Sequence, residues 1–255
     1  MATTPPDTDF SFIGSQGAEL SGRLHRPADT AKGSVLLAHC FTCSKDIHTM
    51  TRLAKGLAEA GYAALRFDFT GIGESGGDFR EKTVSANVSD LTRAAASLIA
   101  EGFGPCAMIG HSLGGAAAIL AAERLKTVRS LVTIGAPSDP THVRHLFESD
   151  LDTLAADGVA TVTIAGRQFD LEQGFVDDLS NHDVLTAATS LGRPYLVIHA
   201  DDDDVVSVEH GEALFNAAAE PKRFERLATG GHMLGPRAAA DAALAAIIAW
   251  YDETL

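Results

Sequence analysis

A serine stands at the centre of the pentapeptide Gly110–Gly114, which reads GHSLG. This G-x-S-x-G pattern is specific only in context, and here an apolar run precedes it and an alanine-rich helical pattern follows it. A strand–turn–helix setting is what a nucleophile elbow requires, because the tight turn holds the hydroxyl clear of the backbone at a helix N-terminus. The alternative, in which Ser112 only caps the helix, is weaker in this setting. Ser112 is the predicted nucleophile.

A serine nucleophile needs a neighbouring base, and where this elbow occurs the histidine comes last along the chain. Five of the six histidines after Ser112 fall in a predicted insertion, strand or helix: His142, His145, His182, His199 and His210. The sixth, His232, stands in a glycine-containing loop between the last predicted strand and the last predicted helix. A loop in that position can reach back to the elbow, so we predict His232 as the base.

The carboxylate that orients the base is expected just past the strand before the His232 unit. Four consecutive aspartates, Asp201–Asp204, lie there. Adjacent carboxylates repel one another, so most of the four must be solvated or used in turn hydrogen bonds. Position alone leaves Asp202, Asp203 and Asp204 open as the acid.

Two backbone N–H groups are needed to stabilise the oxyanion of a tetrahedral intermediate. One follows the nucleophile and is that of Leu113. The other is expected from the loop His39–Thr42, which directly follows an early apolar strand, and we assign it to Phe41. His39 is predicted to hold that loop in place and to transfer no proton.

The cysteines give a weaker signal. Cys40 and Cys43 have C-x-x-C spacing, but no second cysteine pair accompanies them, and His48 and Asp46 make an improbable metal set. Cys106 is predicted to be a buried core thiol. Three cysteines are too few for a disulfide framework in a chain of 255 residues, and we predict no metal and no cofactor.

The segment Asp68–Ser75 (DFTGIGES) has the glycines of a phosphate-binding loop. It lacks the third glycine of G-x-G-x-x-G and the lysine of a P-loop, and no helix follows at once. We therefore predict a structural turn after a strand.

The elements that must position these residues alternate along the chain. Two strand candidates open it, Phe10–Ile13 and Glu19–Arg26, and strands and helices then follow in turn. The predicted strands are 34–38, 62–67, 106–109, 130–134, 195–199 and 223–227, and the predicted helices are 48–60, 84–100, 113–125, 208–218 and 238–251. This alternation predicts an α/β fold with a mostly parallel central sheet and helices on both faces.

One stretch interrupts the alternation, between Pro137 and Arg193. It is too long for an ordinary connection, and its sequence predicts a hairpin, Ala160–Ile164 and Gln168–Leu171, between helical acidic segments. Its apolar side chains need a surface to cover, so we predict a cap, about 138–193, over the strand ends. We expect one domain over 10–255, preceded by a disordered lead over 1–9.

Composition excludes several classes of protein. The net charge of −14 argues against a nucleic-acid or anionic-membrane partner, because both require clustered Lys and Arg. The apolar fraction of 45% is that of a globular protein, and no apolar run reaches the length of a transmembrane helix. With no signal-peptide pattern at the N-terminus, we expect a cytoplasmic location.

Taken together, these motifs resemble the α/β-hydrolase superfamily from about Phe10 to the C-terminus. The family pattern H-G-F-T-G appears as HCFTC over 39–43, with cysteine in place of both glycines, and D-x-x-G-x-G-x-S appears over 68–75. The family's acid motif, H-G-x-x-D-x-V-V-P, appears over 199–207, and this register favours Asp203 over its neighbours. The final Gly-His of the pattern is Gly231-His232.

Within the superfamily, HCFTCSKDI, RFDFTGIGES, GHSLGGAAA and VTIGAPSDPTHV look like the hydrolase half of proteins in which an α/β-hydrolase is fused to an OsmC-like domain. The thiol chemistry of an OsmC-like domain is not carried over, because the resemblance covers the hydrolase half alone. The layout of the insertion is also similar to that of cinnamoyl and feruloyl esterases.

The resemblance implies a serine hydrolase acting on small carboxylic esters through an acyl-enzyme, with Ser112, His232 and Asp203 as the triad and Phe41 and Leu113 at the oxyanion. The alternatives are a thioesterase or amidase with the same triad, a non-catalytic binding protein on this scaffold, and a partner for a separate OsmC-like chain. The expected partner is a small-molecule ester, and the oligomeric state is left open.

Overall fold

The computed structural model describes residues 7–104 and 106–255 and contains one central sheet of eight strands. The strands, in chain order, are β1 Thr8–Ile13, β2 Glu19–His25, β3 Gly33–Ala38, β4 Tyr62–Phe67, β5 Ala107–His111, β6 Ser130–Ile134, β9 Tyr195–Ala200 and β10 Lys222–Leu227. Their order across the sheet is β1-β2-β4-β3-β5-β6-β9-β10. The β1–β2 and β2–β4 pairs are antiparallel, and all other pairs are parallel.

Helices cover both faces of this sheet. They are α1 His48–Glu59, α2 Val84–Ala100, α3 Leu113–Ala122, α7 Val208–Ala217 and α8 Arg237–Thr254. One apolar cluster joins α2, α3 and α7 to the sheet, and a second joins α1 and α8 to its other face. The predicted α/β architecture is therefore confirmed.

Strand position explains the strand sequences. The central strands β3, β4, β5, β6 and β9 are buried along nearly their whole length, as expected for strands covered on both faces. Edge strand β1 instead alternates exposed and buried residues, because only one of its faces meets the core. This contrast makes the central strands read as continuous apolar runs.

The insertion folds into a two-stranded antiparallel hairpin and short helices. The hairpin consists of β7 Val159–Ile164 and β8 Arg167–Glu172. Around it lie an irregular 3₁₀ segment Pro140–Asp150 and the short helices α4 Leu151–Asp157, α5 Gln173–Leu179 and α6 Val184–Thr189. Most of its apolar side chains are buried against the main core: Phe147, Phe169, Phe175, Val176 and Leu179. The predicted hairpin is confirmed, with Arg167 in the second strand and not in the turn.

The disorder predicted over 1–9 is wrong for Thr8 and Asp9, because these two residues pair with Leu24 and Arg23 in the sheet. Residues 1–6 of that lead lie outside the described residues. Among the helices that the structure describes, none has the length and apolar character needed to cross a membrane.

Candidate active site

Ser112 occupies a sharp bend between β5 and α3. Its backbone has φ 55° and ψ −130°, a conformation that non-glycine residues rarely adopt and that is typical of functional sites. The flanking glycines make the bend possible, because a Cβ on Gly110 would lie 2.5 Å from the Gly114 carbonyl oxygen. The Ser112 N–H donates to the Ile134 carbonyl at 2.9 Å, which ties the bend to β6. Strand, turn and helix thus meet as the GHSLG sequence predicts.

The loop that follows β3 packs directly on this bend. A Cβ on Gly114 would overlap the carbonyl oxygens of His39 and Ala38, so only glycine permits the contact. Within residues 7–104 and 106–255, the N–H groups of Phe41 and Leu113 donate to no protein acceptor. Both residues border the same cavity as Ser112. The two N–H groups assigned to the oxyanion are therefore free beside the serine.

His39 holds the loop after β3 in place through two hydrogen bonds. Its Nδ1 is 2.7 Å from the Cys40 carbonyl oxygen, and its Nε2 accepts the Phe69 N–H at 3.3 Å. Burial lowers the pKa of His39 well below its usual value, which keeps the imidazole neutral. These contacts agree with the predicted structural role of His39.

Asp203 and His232 form the closest ionisable pair of the site. Asp203 Oδ2 lies 2.9 Å from His232 Nδ1, and Asp203 Oδ1 accepts the N–H groups of Val205 and Val206 at 3.0 and 2.8 Å. Burial opposes ionisation of Asp203, but the hydrogen bonds from His232 and the two N–H groups outweigh it, so the Asp203 pKa lies below its usual value. The ionised carboxylate thus fixes the His232 tautomer, with the proton on Nδ1.

The other three aspartates have separate contacts. Asp202 Oδ1 accepts the N–H groups of Gly230 and Gly231 at 2.8 and 2.7 Å, which holds the loop that carries His232. Asp201 pairs with Arg226 at the surface. Asp204 is exposed, and its side chain makes no hydrogen bond to another described residue. Of the three candidates left open by position, only Asp203 contacts His232.

His111 supports the His232 loop in a way that sequence reasoning missed. It is fully buried, and its Nε2 lies 2.8 Å from the His232 carbonyl oxygen. A carbonyl only accepts, so Nε2 carries the proton. Burial lowers the His111 pKa to about 3, and the ring stays neutral. The sign of this role in the sequence is the position of His111 directly before Ser112 in the motif.

Gly135 permits the close approach of the acid and the base. It has φ +54°, and an added Cβ would lie 3.0 Å from Asp203 Oδ2 and 3.4 Å from His232 Nδ1. A side chain there would displace the pair. The sequence offers only a glycine directly after β6 as a clue.

Ser112 and His232 both line one cavity of about 570 Å³. No hydrogen bond joins the two side chains in the described part of the chain, and such contacts are often loose before a substrate binds. The lining is mostly apolar, and the insertion contributes part of it: His142, Val143, His145, Leu146, Ile164 and Ala165. The insertion therefore lies over the serine, as a cap would.

A disulfide bond joins Cys40 to Cys43, on either side of Phe41 and Thr42. The C-x-x-C spacing alone did not predict this bond. Cys106 is free and buried, as predicted. The residues that the structure describes contain no group of three or more His, Cys, Asp or Glu side chains placed to hold a metal ion.

The turn over 68–75 is structural, since Asp68 binds Lys45 Nζ at 2.9 Å and the Glu74 N–H at 3.0 Å.

Lys82 lies beneath the loop that carries Phe41. Its side chain is 1% exposed, and Nζ has no hydrogen-bond partner among the described residues. Nζ is 5.8, 5.2 and 5.7 Å from the ring centroids of Phe41, Phe69 and Phe79. Burial lowers the Lys82 pKa to about 7, against the opposing attraction of Asp90 and Asp68.

This environment predicts a pH-dependent effect of Lys82→Met on stability. The folded-state pKa lies below the unfolded value of about 10.4. The unfolded chain therefore binds the extra proton between about pH 7 and pH 10, and the free energy of unfolding of the wild type rises with pH across that window. Lys82→Met removes the charge, so it is expected to stabilise the protein most at pH 7 and below, by up to about 4 kcal/mol, and much less at pH 10.

Urea unfolding of the wild type and the variant at pH 6.5 and pH 10 measures this difference. The control is Lys126→Met, which removes an exposed lysine and is expected to change little at either pH. A Lys82→Met effect that is the same at both pH values would contradict the assigned burial of the charge.

Comparison with known proteins places this geometry in context. The model of the alpha/beta hydrolase family matches residues 35–247. The crystal structure of an esterase domain from Rhodothermus marinus is 35% identical, with a TM-score of 0.82, over 98% of this chain and 99% of that chain. The structure of Est1E from Butyrivibrio proteoclasticus with bound ferulic acid is 19% identical, with a TM-score of 0.77, over 95% and 98%. At that identity, the second likeness concerns the fold alone.

Two curated relatives match parts of their own length. Lysophosphatidylserine lipase ABHD12 of Danio rerio is 29% identical over 175 residues, which is 67% of this chain. The matched region spans only 43% of that lipase. The uncharacterized protein YfhR of Escherichia coli O157:H7 is 24% identical over 87% of this chain and 72% of its own length.

Proposed function

The chain belongs to the alpha/beta hydrolase family, and from that membership we propose that it is a serine esterase that cleaves small carboxylic esters through Ser112, His232 and Asp203. One observation carries the proposal. Ser112, in its strained bend, borders the same cavity as an imidazole whose Nδ1 is held by a buried carboxylate at 2.9 Å. This is the arrangement by which a neutral hydroxyl becomes a nucleophile.

In the proposed first step, Ser112 Oγ attacks the ester carbonyl carbon and His232 Nε2 takes the hydroxyl proton. Nε2 is the free nitrogen because Nδ1 is engaged by Asp203. The carboxylate stabilises the imidazolium that forms and keeps its own charge. His232 then donates the proton to the departing alkoxide, which leaves an acyl group on Ser112 and frees the alcohol.

The oxyanion of each tetrahedral intermediate is stabilised by the Phe41 and Leu113 N–H groups. Their lack of protein acceptors supports this assignment, because donors that are already satisfied contribute little to a developing charge. The dipole of α3, which begins at Leu113, adds to the same stabilisation. In the second step, water attacks the acyl carbon while His232 Nε2 takes its proton. The bond from the acyl carbon to Ser112 Oγ then breaks, His232 returns the proton to Oγ, and the carboxylic acid is released.

The cavity supports a small, mostly apolar substrate. A volume of about 570 Å³ lies in the range of small-molecule sites, and its lining offers few polar groups besides the reacting ones. The names of two relatives, an esterase domain and a lysophosphatidylserine lipase, are consistent with ester chemistry. The insertion lines part of this cavity, so its shape limits the size of the substrate that fits.

Parallel assays on an ester, a thioester and an amide with the same acyl group test this proposal. We expect the highest kcat/KM on the ester and little turnover of the amide, whose amine is a poor leaving group. Faster turnover of the thioester than of the ester would favour a thioesterase. Failure of all three substrates, together with no labelling by a fluorophosphonate, would favour a binding protein on this scaffold.

A further inference from the structure

The Cys40–Cys43 disulfide encloses the residue that supplies the proposed oxyanion N–H. The bond closes a ring of four residues, with the Cα atoms 5.3 Å apart and Phe41 second in the ring. Any change at this bond acts on the backbone at Phe41. The bond is thus placed to affect catalysis through one atom, the Phe41 amide nitrogen.

This bond is expected to stabilise the fold less than a crosslink across a long loop would. A crosslink stabilises a protein less as the loop it closes shortens, and this loop is among the shortest possible. Other contacts already hold its surroundings: the Phe41 ring stacks on Phe175 at 4.8 Å, and the Thr42 carbonyl accepts from Arg167 at 3.0 Å. We therefore expect the main effect of the crosslink to be on the backbone that it encloses.

The bond is also within reach of small molecules. Both cysteines border the cavity that contains Ser112, and Cys43 is only half-buried whereas Cys40 is 6% exposed. A substrate-sized thiol that enters the cavity meets Cys43 first. Cys106, by contrast, is buried directly before β5, where its thiol donates to the Ser34 carbonyl.

We propose that Cys40–Cys43 is a thiol–disulfide exchange site for small dithiols that enter through the substrate cavity, and that its oxidised form holds the Phe41 N–H in position for catalysis. The second half of this proposal rests on the proposed function. In the oxidised form, the ring restricts the backbone on both sides of Phe41. In the reduced form, the two sulfur atoms separate and the loop from Cys40 to Cys43 gains freedom.

The thiol–disulfide exchange needs no reactant besides the dithiol. A thiolate of the dithiol attacks Cys43 Sγ, the sulfur–sulfur bond breaks, and Cys40 leaves as a thiolate that takes up a proton. The second thiolate of the dithiol then attacks the dithiol sulfur that is bonded to Cys43 Sγ. This closes the cyclic disulfide and releases Cys43 as a thiolate that takes up a proton. The protein disulfide gains two electrons and two protons, and the dithiol is oxidised to its cyclic disulfide.

The experiment measures thiols and turnover on the same folded samples. The full-length chain is incubated with dithiothreitol, and the accessible thiols are alkylated and located by mass spectrometry. A portion is assayed for kcat and KM on a short-chain ester. We expect Cys40 and Cys43 to become alkylated without unfolding and kcat to fall about 10-fold. This fall is smaller than the loss of about 10²–10³ on removal of one oxyanion donor, because reduction loosens the Phe41 N–H without removing it. KM is expected to change less than about twofold. Oxidised dithiothreitol should restore kcat.

Two variants separate the bond from its side effects. The variant Cys40→Ser/Cys43→Ser should have the kcat of the reduced wild type, and dithiothreitol should not change it. The variant Cys40→Gly/Cys43→Gly restores the glycines of the family pattern, and its kcat should also be unchanged by dithiothreitol. Cys106→Ala is the matched control, and its response should equal that of the wild type.

Several results would overturn the proposal. Free thiols at both positions before reduction, or no alkylation after it, would exclude an exchange site. Equal kcat in the oxidised and reduced wild type would exclude the coupling to catalysis. Absence of ester turnover in both states, with normal alkylation of the two cysteines, would instead refute the proposed function, so the two failures are distinguishable.

Discussion

Replacing Ser112 with alanine is expected to lower kcat on a short-chain ester by about 10⁴- to 10⁶-fold, while KM changes little. The physical reason is that alanine lacks the hydroxyl proposed to form the acyl-enzyme. Donors at Phe41 and Leu113 would still polarise a bound carbonyl, which accounts for a small residual rate. Steady-state kinetics of the purified variant measures this loss.

The matched control is Ser138→Ala. Ser138 is a half-buried serine that follows β6, and its hydroxyl lies 2.9 Å from His210 Nδ1. Its loss is expected to change kcat by less than about threefold, since removing one hydroxyl outside the site costs little. If Ser112→Ala retained more than about a tenth of wild-type turnover, Ser112 would not be the nucleophile.

Replacing Asp203 with asparagine is expected to lower kcat by about 10³- to 10⁴-fold at neutral pH. An asparagine has nearly the same shape, but its amide can present a donor to His232 Nδ1. The imidazole then changes tautomer, and Nε2 carries a proton when it needs to accept one. Kinetics at pH 7, with a thermal melt to show that the variant is folded, measures this effect.

The neighbouring aspartates provide the controls for this prediction. Asp204→Asn is expected to change kcat by about twofold at most, because Asp204 is exposed and its side chain has no hydrogen bond to another described residue. Asp202→Asn is expected to have an intermediate effect, because Asp202 holds the Gly230 and Gly231 N–H groups. A loss at Asp204 as large as that at Asp203 would reassign the acid.

Much of this fold could be predicted from the sequence, because burial leaves clear patterns. The central strands are buried on both faces and read as apolar runs, so the strands predicted at Tyr62–Phe67 and Ser130–Ile134 match the structure residue for residue. Helix α2 was likewise predicted at its true bounds, and in the structure Thr83 caps it by accepting the Ala86 N–H. The GHSLG segment predicted the bend at Ser112 for a similar reason, as only glycines fit on either side of it.

The contacts between distant segments could not be predicted in the same way. Four successive aspartates look alike in a sequence, and only the path of the loop after β9 decides that Asp203 faces His232 while Asp202 faces the Gly230 backbone. The support from His111 and the clearance at Gly135 also depend on packing between strands. The C-x-x-C spacing was visible, but the bond depends on the turn between the two cysteines.

Some expectations from the sequence stay predictions. They are the cytoplasmic location, the absence of cofactors and of nucleic-acid or membrane partners, and the likeness to the hydrolase half of OsmC-like fusion proteins. If the location is cytoplasmic, a disulfide at Cys40–Cys43 fits a redox-responsive bond better than a permanent crosslink, because reducing compartments rarely retain structural disulfides.

The central claim is that Ser112 is activated by His232 and Asp203, and covalent labelling tests it most directly. The full-length chain is treated with a fluorophosphonate, digested, and analysed by mass spectrometry to locate the adduct, while esterase activity is followed in parallel. We expect a single adduct, on Ser112, that grows in proportion to the loss of activity and forms far more slowly in Asp203→Asn. An adduct on another residue, or full inactivation without modification of Ser112, would contradict this account.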